Sequence, residues 1–375
     1  MSKESRAVAK YRRTRDRIAG ALDAALARAR RPLPDLLPPF TAHTTLDLST
    51  DRLILLSDLH RGARNGADDH EKAERATHAA LAYYERLGYT LVLLGDVEEL
   101  WEERPAAIFR AYPHSYDLEA PFHRSGRYYR VWGNHDDEWL FPDRVHEQLQ
   151  PVLGPPELRV YESMLIDVVD GGEALGTLFL VHGHQGDVKS DRWSWATRLV
   201  IRFFWRPWQR LSGATVNTPA TNWDLRYTLN RAMYDWAERQ AGLVLIAGHT
   251  HQPVFRSLSH EEQIARDLAK VEADSGAAPT PEQLRTQAEL RAQLEWVRAE
   301  SARLNGGEAP APLEKPCYFN TGSCSYLDGD ITGLEIARGE IRLVRWPDEE
   351  GEPRPHVLAR DRMRDVLLAC AMPVA

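Results

Sequence analysis

The sequence predicts an α/β fold of layered strands and helices, and three observations carry that expectation. Six short apolar runs recur along the chain: RLILLS (52–57), TLVLLG (90–95), YYRVWG (128–133), TLFLVH (177–182), LVLIAG (243–248) and CYFNTG (317–322). They are mostly apolar without alternation, which marks strands buried on both faces. Helical patterns separate them, as in a layered α/β chain. Five of the runs also end in a Gly, a small residue or a turn, followed by Asp, Asn or His.

The elements follow in order. Residues 5–30 read as a basic helix rich in Ala and Arg, broken by the four prolines of RRPLPDLLPPF (30–40). Residues 1–31 carry a formal +7 and the remainder −15, within a total of −8. Charged helices of this kind are usually solvated surface elements; contact with an anionic membrane surface is the second reading. Residues 68–88 place Ala76, Ala80, Tyr83, Tyr84 and Leu87 on one helical stripe, with Gly88 just past its end. A hairpin is expected at Asp170-Gly171-Gly172, and a second around Gly339 within 334–346.

Two insertions interrupt the pattern. The first, 187–241, holds Trp193, Trp195, Trp205, Trp208, Trp223 and Trp236. Within it Arg198, Arg202, Arg206 and Arg210 recur every four residues and would share a helix face. It reads as a cap packed over a site. A sharper version is a pocket for an acyl chain or base, with Arg198 and Arg202 neutralising phosphate; an interfacial helix is the third reading. The second insertion, 256–315, reads as a helical hairpin. Ser259 with Glu262 and Thr280 with Gln283 form capping-box pairs, and Pro281 opens the second helix. The chain thus divides into a basic helix and linker (1–40), a main domain (41–350) and a C-terminal tail or helix (351–375).

Composition narrows the function. The 375 residues are 43% hydrophobic and 27% charged, ordinary for a globular protein. The net negative charge argues against a polyanion binder, so nucleic acid is disfavoured as a partner. Cys317, Cys324 and Cys370 are too few for a disulfide framework and read as reduced thiols in a cytoplasmic protein. No apolar run reaches the roughly 18 residues of a membrane span, and the N-terminus lacks a secretory pattern.

The chemistry lies at the strand ends. Asp58 and His60 follow the first run, Asp96 the second, and Asn134-His135-Asp136 the third. His182 and His184 end the fourth, and His249 and His251 follow the fifth. In α/β sheets ligands sit outside the carboxyl ends of strands, so these groups are expected to converge. Imidazole with carboxylate oxygen, and no thiolate, suits divalent ions such as Mn, Fe or Zn. In a two-metal site one carboxylate bridges the ions, which hold a hydroxide and clamp a phosphoryl oxygen.

The ordered blocks Asp-x-His, Gly-Asp-x-x-Glu, Gly-Asn-His-Asp, His-Gly-His and Gly-His-x-His resemble the calcineurin-like metallophosphoesterase superfamily over residues 53 to about 346. The resemblance implies a two-sheet αββα sandwich with a dinuclear centre, manganese first, with Fe, Zn or Ni as alternatives. By position, Asp58, His60 and His251 would hold one ion, Asn134, His182 and His249 the other, and Asp96 would bridge. His135 would act as the acid, oriented by Asp136, with His184 close by. SDLHRG, LLGDVEELWE, GHTHQP and YFNTGSC are similar to the UDP-2,3-diacylglucosamine hydrolases, although His135 stands where that group carries an Arg.

The expected activity is hydrolysis of a phosphodiester or pyrophosphate bond in a small-molecule or lipid-linked, nucleotide-lipid type substrate. A phosphomonoesterase, protein phosphatase or cyclic-nucleotide phosphodiesterase is the alternative; a nuclease or non-catalytic scaffold ranks lower. The expected location is cytoplasmic or peripheral at the inner membrane face, through the basic helix or the Trp-rich cap. Glu98 and Glu99 could lie close to the site but read first as a solvated helix start, and Cys324 reads as structural.

Overall fold

A computed structural model describes residues 3–31, 40–66, 68–186, 223–256, most of 265–304, 315–348 and 353–371. Helix α1 (Lys3–Arg30) leads into β1 (Thr41–Asp47), β2 (Arg52–Leu56), α2 (Glu74–Arg86) and β3 (Thr90–Leu94). Next come α3 (Pro105–Ala111), α4 (Pro113–Arg124), β4 (Tyr128–Val131) and a short helical stretch over 137–153. The hairpin β5 (Ser163–Asp170) and β6 (Glu173–Val181) precedes α5 (Trp223–Glu238), β7 (Leu243–Ala247), α6 (Pro281–Leu304) and β8 (Tyr318–Asn320). The chain closes with β9 (Ile331–Ala337), β10 (Glu340–Trp346), β11 (His356–Arg362) and α7 (Met363–Ala371).

These strands form two sheets, in the orders β1-β5-β6-β7-β8 and β11-β10-β9-β2-β3-β4. Their packing explains the apolar runs. In β2, Leu53 and Leu55 enter the core shared with the other sheet, while Ile54 and Leu56 enter a second core. In β3, Val92 and Leu94 divide from Leu91 and Leu93 in the same way. Both faces are covered, so the period of two in the side chains leaves no polar trace. Helices α2 and α4 pack on the six-stranded sheet, and α1, α5 and α7 on the five-stranded one. The architecture is a two-sheet, helix-flanked α/β sandwich.

Three boundaries differ from the sequence reading. Helix α1 is not a solvated arm: Ile18, Leu22, Ala25, Leu26 and Ala29 join the main core, while Arg12, Arg13 and Arg30 stay outside. Asp23 accepts a 2.8 Å hydrogen bond from Trp236 Nε1, and Arg28 pairs with Glu162, so α1 is tied to α5 and β5. Within the expected C-terminal tail or helix, the described residues 353–371 include β11, which pairs with β10, and helix α7, which buries Met363, Val366 and Leu367. Strand β1 escaped notice because TAHTTLD is polar and half-exposed, as suits a sheet edge. In the second insertion Thr280 and Gln283 do form their reciprocal cap, and Leu290 and Leu294 pack near Tyr227 and Leu268. Ser259 and residues 187–222, with Arg198, Arg202 and the tryptophans from Trp193 to Trp208, lie outside the described residues. Among the described residues no helix is long and apolar enough to cross a membrane.

Candidate metal centre

The five motif-bearing turns leave β2, β3 and β4 of one sheet and β6 and β7 of the other. The two sheets therefore bring their carboxyl ends to one cleft. Asp58, His60, Asp96, His249 and His251 all have φ between 50° and 67°, a region that costs a non-glycine residue about 1 kcal/mol or more. Such strain persists only where the surroundings impose it, and here it turns five side chains inward. Two glycines allow the close packing: a Cβ on Gly133 would stand 2.2 Å from Asp96 Oδ1, and one on Gly248 would stand 2.6 Å from Asp58 Oδ2.

The donors converge as two groups. Asp58 Oδ1 lies 3.2 Å from His251 Nε2 and 3.9 Å from His60 Nε2, and the two imidazole nitrogens are 3.1 Å apart. Asp96 Oδ2 lies 3.8 Å from His60 Nε2 and 3.0 Å from His182 Nε2. Asp58, His60 and His251, and equally Asp96, His182 and His249, keep their donor atoms within 4.8 Å of one another. Asp96 stands between the groups, and its Oδ1 accepts the His135 backbone N–H at 2.8 Å.

The surroundings aim these donors. His60 Nδ1 lies 2.9 Å from Glu99, and His182 Nδ1 lies 2.8 Å from the Leu94 carbonyl, so each ring presents Nε2 to the cleft. The Asn134 side-chain oxygen is buried and makes no hydrogen bond among the described residues, the kind of orphaned atom that a cation would satisfy. The donor set is oxygen and imidazole nitrogen only, which fits divalent ions of the Mn, Fe and Zn kind.

Electrostatics point the same way. Burial pushes the His60 imidazole down, but Glu99, Asp96 and Asp58 outweigh it and raise it to about 10. His182 likewise rises to about 9 against its burial, through Asp96 and Asp58. Burial raises the Asp58 carboxyl, yet His251 and His182 bring it down to about 2. The carboxylates thus favour the charged form of the His60 and His182 imidazoles, and bound cations would displace those protons.

His135 sits at the edge of the cluster, with its ring 4.7 Å from that of His60 and stacked on Trp101 at 4.1 Å. Its Nδ1 lies 2.8 Å from the Glu99 carboxylate. This corrects two sequence readings. Glu98 and Glu99 are buried rather than a solvated helix start, and Glu99, not Asp136, holds the His135 ring. Asp136 instead accepts backbone N–H groups of Gly133, Asp96 and Val97. His184 is buried beside His182 and Trp132, with ring separations of 5.4 and 5.0 Å. Cys324 is buried against the Thr332 carbonyl, and burial pushes its thiol up.

Residues 51–253 match the family model of the calcineurin-like phosphoesterases. The chain belongs to the calcineurin-like phosphoesterase family. The described donor groups lie within or at the edge of that match, and the second insertion lies beyond it. No curated protein shows significant similarity to this chain. Among solved structures, a Vps29 single mutant from Entamoeba histolytica shares 12% identity, over 82% of this chain and 98% of the other, at a TM-score of 0.30. Vacuolar Protein Sorting 29 from Cryptosporidium parvum shares 11%, over 83% and 98%, at a TM-score of 0.32.

Proposed function

We propose that this phosphoesterase hydrolyses a phosphodiester or pyrophosphate bond at a dinuclear centre. One observation supports the reading most: Asp96 lies between the two donor groups, its Oδ2 3.0 Å from His182 Nε2 and 3.8 Å from His60 Nε2. Asp58, His60 and His251 would hold one divalent ion and Asn134, His182 and His249 the other, with the Asp96 carboxylate available to both. Manganese is the first candidate for the donor set. The ions, when bound, supply Lewis-acid polarisation of the phosphoryl oxygens and a water made nucleophilic at neutral pH.

The chain supplies the rest. His135 is held by Glu99 and stacked on Trp101, at the edge of the donor cluster. It donates a proton to the departing oxygen, and Glu99 steadies the ring as its charge changes. A leaving alkoxide or phosphate benefits from that proton. The motifs SDLHRG, LLGDVEELWE and YFNTGSC support a pyrophosphate or diester of the nucleotide-lipid type as the substrate class.

The test is hydrolysis of bis-p-nitrophenyl phosphate and p-nitrophenyl phosphate, with Mn²⁺ or with EDTA, by wild type and Asp96→Asn. Mn-dependent diester cleavage that the variant loses is expected. Full activity of Asp96→Asn, or of wild type in EDTA, would refute the metal mechanism, and a strong monoester preference would refute the diester assignment.

A further inference from the structure

Below the donor cluster lies a layer of buried charge. Arg61, Glu98, Glu119, Arg130 and Asp136 are each 0% exposed. Arg130, in β4, pairs with Glu98, and its Nη2 lies 3.6 Å from Asp136 Oδ2. Glu98 is also held by Tyr116 Oη at 2.8 Å and Trp139 Nε1 at 2.9 Å. The Asp136 carboxylate accepts Gly133 N–H at 2.6 Å, Val97 N–H at 2.9 Å and Asp96 N–H at 3.3 Å. A short chain of contacts thus runs from Arg130 through Asp136 to the strained turn whose side chain both donor groups share.

Stability does not account for Arg130. A dry guanidinium is costly, and apolar replacements of buried ion pairs are often neutral or stabilising. Here Nε and Nη1 meet no acceptor among the described residues, so the cation is not even fully paired. What the arrangement does provide is direction: a fixed positive charge keeps the Asp136 carboxylate where it captures two consecutive N–H groups of the Asp96 turn. The neighbouring Arg61–Glu119 pair, 2.5 Å apart, supplies a contrast. Among the described residues Glu119 pairs with Arg61 and takes the Tyr128 hydroxyl, and neither partner is a donor residue.

We infer that Arg130 is a positioning residue, which acts through Asp136 to hold the Asp96 carboxylate towards both metal positions. The inference rests on the phosphoesterase reading above. Its test is Mn²⁺ affinity, followed by electron paramagnetic resonance of the free ion, in the full chain. Wild type, Arg130→Gln, Arg130→Lys and Glu119→Gln are compared. The double variant Arg130→Met with Glu98→Gln leaves no unpaired Glu98 charge should Arg130→Gln fail to fold.

Expected is a Mn²⁺ affinity about tenfold or more weaker in Arg130→Gln and in the double variant. Arg130→Lys should recover part of it, and Glu119→Gln should bind as wild type while melting earlier. Wild-type affinity in the folded Arg130 variants overturns the inference. So does an equal loss in Glu119→Gln, which would mean general loosening. A wild type that binds no divalent ion overturns the metal reading itself, a distinct result from insensitivity at Arg130.

Discussion

Glu99 sets a carboxylate oxygen 2.8 Å from His135 Nδ1, and the same carboxylate lies 2.9 Å from His60 Nδ1. One acidic side chain therefore orients a metal donor and the proposed acid together. Glu99→Gln keeps the volume and removes the charge. We expect kcat on the diester to fall by about ten- to a hundredfold, the usual cost of losing such an outer partner, with KM changed far less. Wild-type turnover in the variant would remove Glu99 from the mechanism.

The carboxylates crowd one another, so bound cations should stabilise the fold as well as equip it. At a hundredfold excess over Kd, ligand binding contributes about 2.7 kcal/mol. Melting curves in Mn²⁺ and in EDTA should then differ by a few degrees for wild type. Asp96→Asn, which keeps the side-chain shape but gives up the bridging charge, should show little of that difference. Equal melting of wild type in both buffers would argue against a resident ion.

Much of this was legible in the sequence, for a physical reason. A strand buried on both faces reads as a continuous apolar run; Asp or Asn in one following turn is ordinary, but five such turns in succession ending in Asp, Asn or His point to a shared site. That logic singled out Asp58, His60, Asp96, Asn134, His182, His249 and His251, and the fold brings the Asp and His donors among them together. It missed what depends on three-dimensional neighbours. Glu99 looks like any acidic residue after a turn, and only the approach of His60 and His135 gives it a role. Asp136 sits beside His135 in sequence, but its carboxylate turns back to the Asp96 backbone. Strand β1 has a polar edge pattern, and α1 hides a narrow apolar stripe among arginines. Asp and His tolerate left-handed φ better than most residues, but the type alone does not reveal that these five positions adopt it.

Gly133 and Gly248 make a steric test of the same site. An added methyl at Gly133 would stand 2.2 Å from Asp96 Oδ1, and at Gly248 2.5 Å from Ser57 Oγ. Alanine at either position must push a donor carboxylate or its neighbour aside, at about 1–3 kcal/mol of stability. We expect Gly133→Ala to fold, to melt earlier and to lose most of its bound metal when assayed by elemental analysis. Normal metal content in Gly133→Ala would mean that the Asp96 turn is more compliant than its packing implies.

His78 sets an acid limit that is separate from the centre. It lies on α2, with Nε2 2.7 Å from Ser115 Oγ of α4. Burial, with help from Arg61, His114 and Arg64, lowers its imidazole to about 4, against the opposing pull of Glu74. The folded protein therefore keeps His78 neutral while the unfolded chain takes a proton near pH 6.5. Between those values the unfolded state binds more protons, so this contribution is full above about pH 6.5, shrinks as the pH falls and levels off near pH 4. The ring is partly solvated, which reduces the effect to about 1–2 kcal/mol. His78→Gln keeps a group able to reach Ser115 and removes the titration. The depressed carboxylates Asp58 and Glu99 are common to both proteins and cancel in the comparison. Urea midpoints at pH 7, 5 and 4 should therefore fall less steeply for His78→Gln than for wild type. Parallel curves would show that the acid sensitivity lies elsewhere.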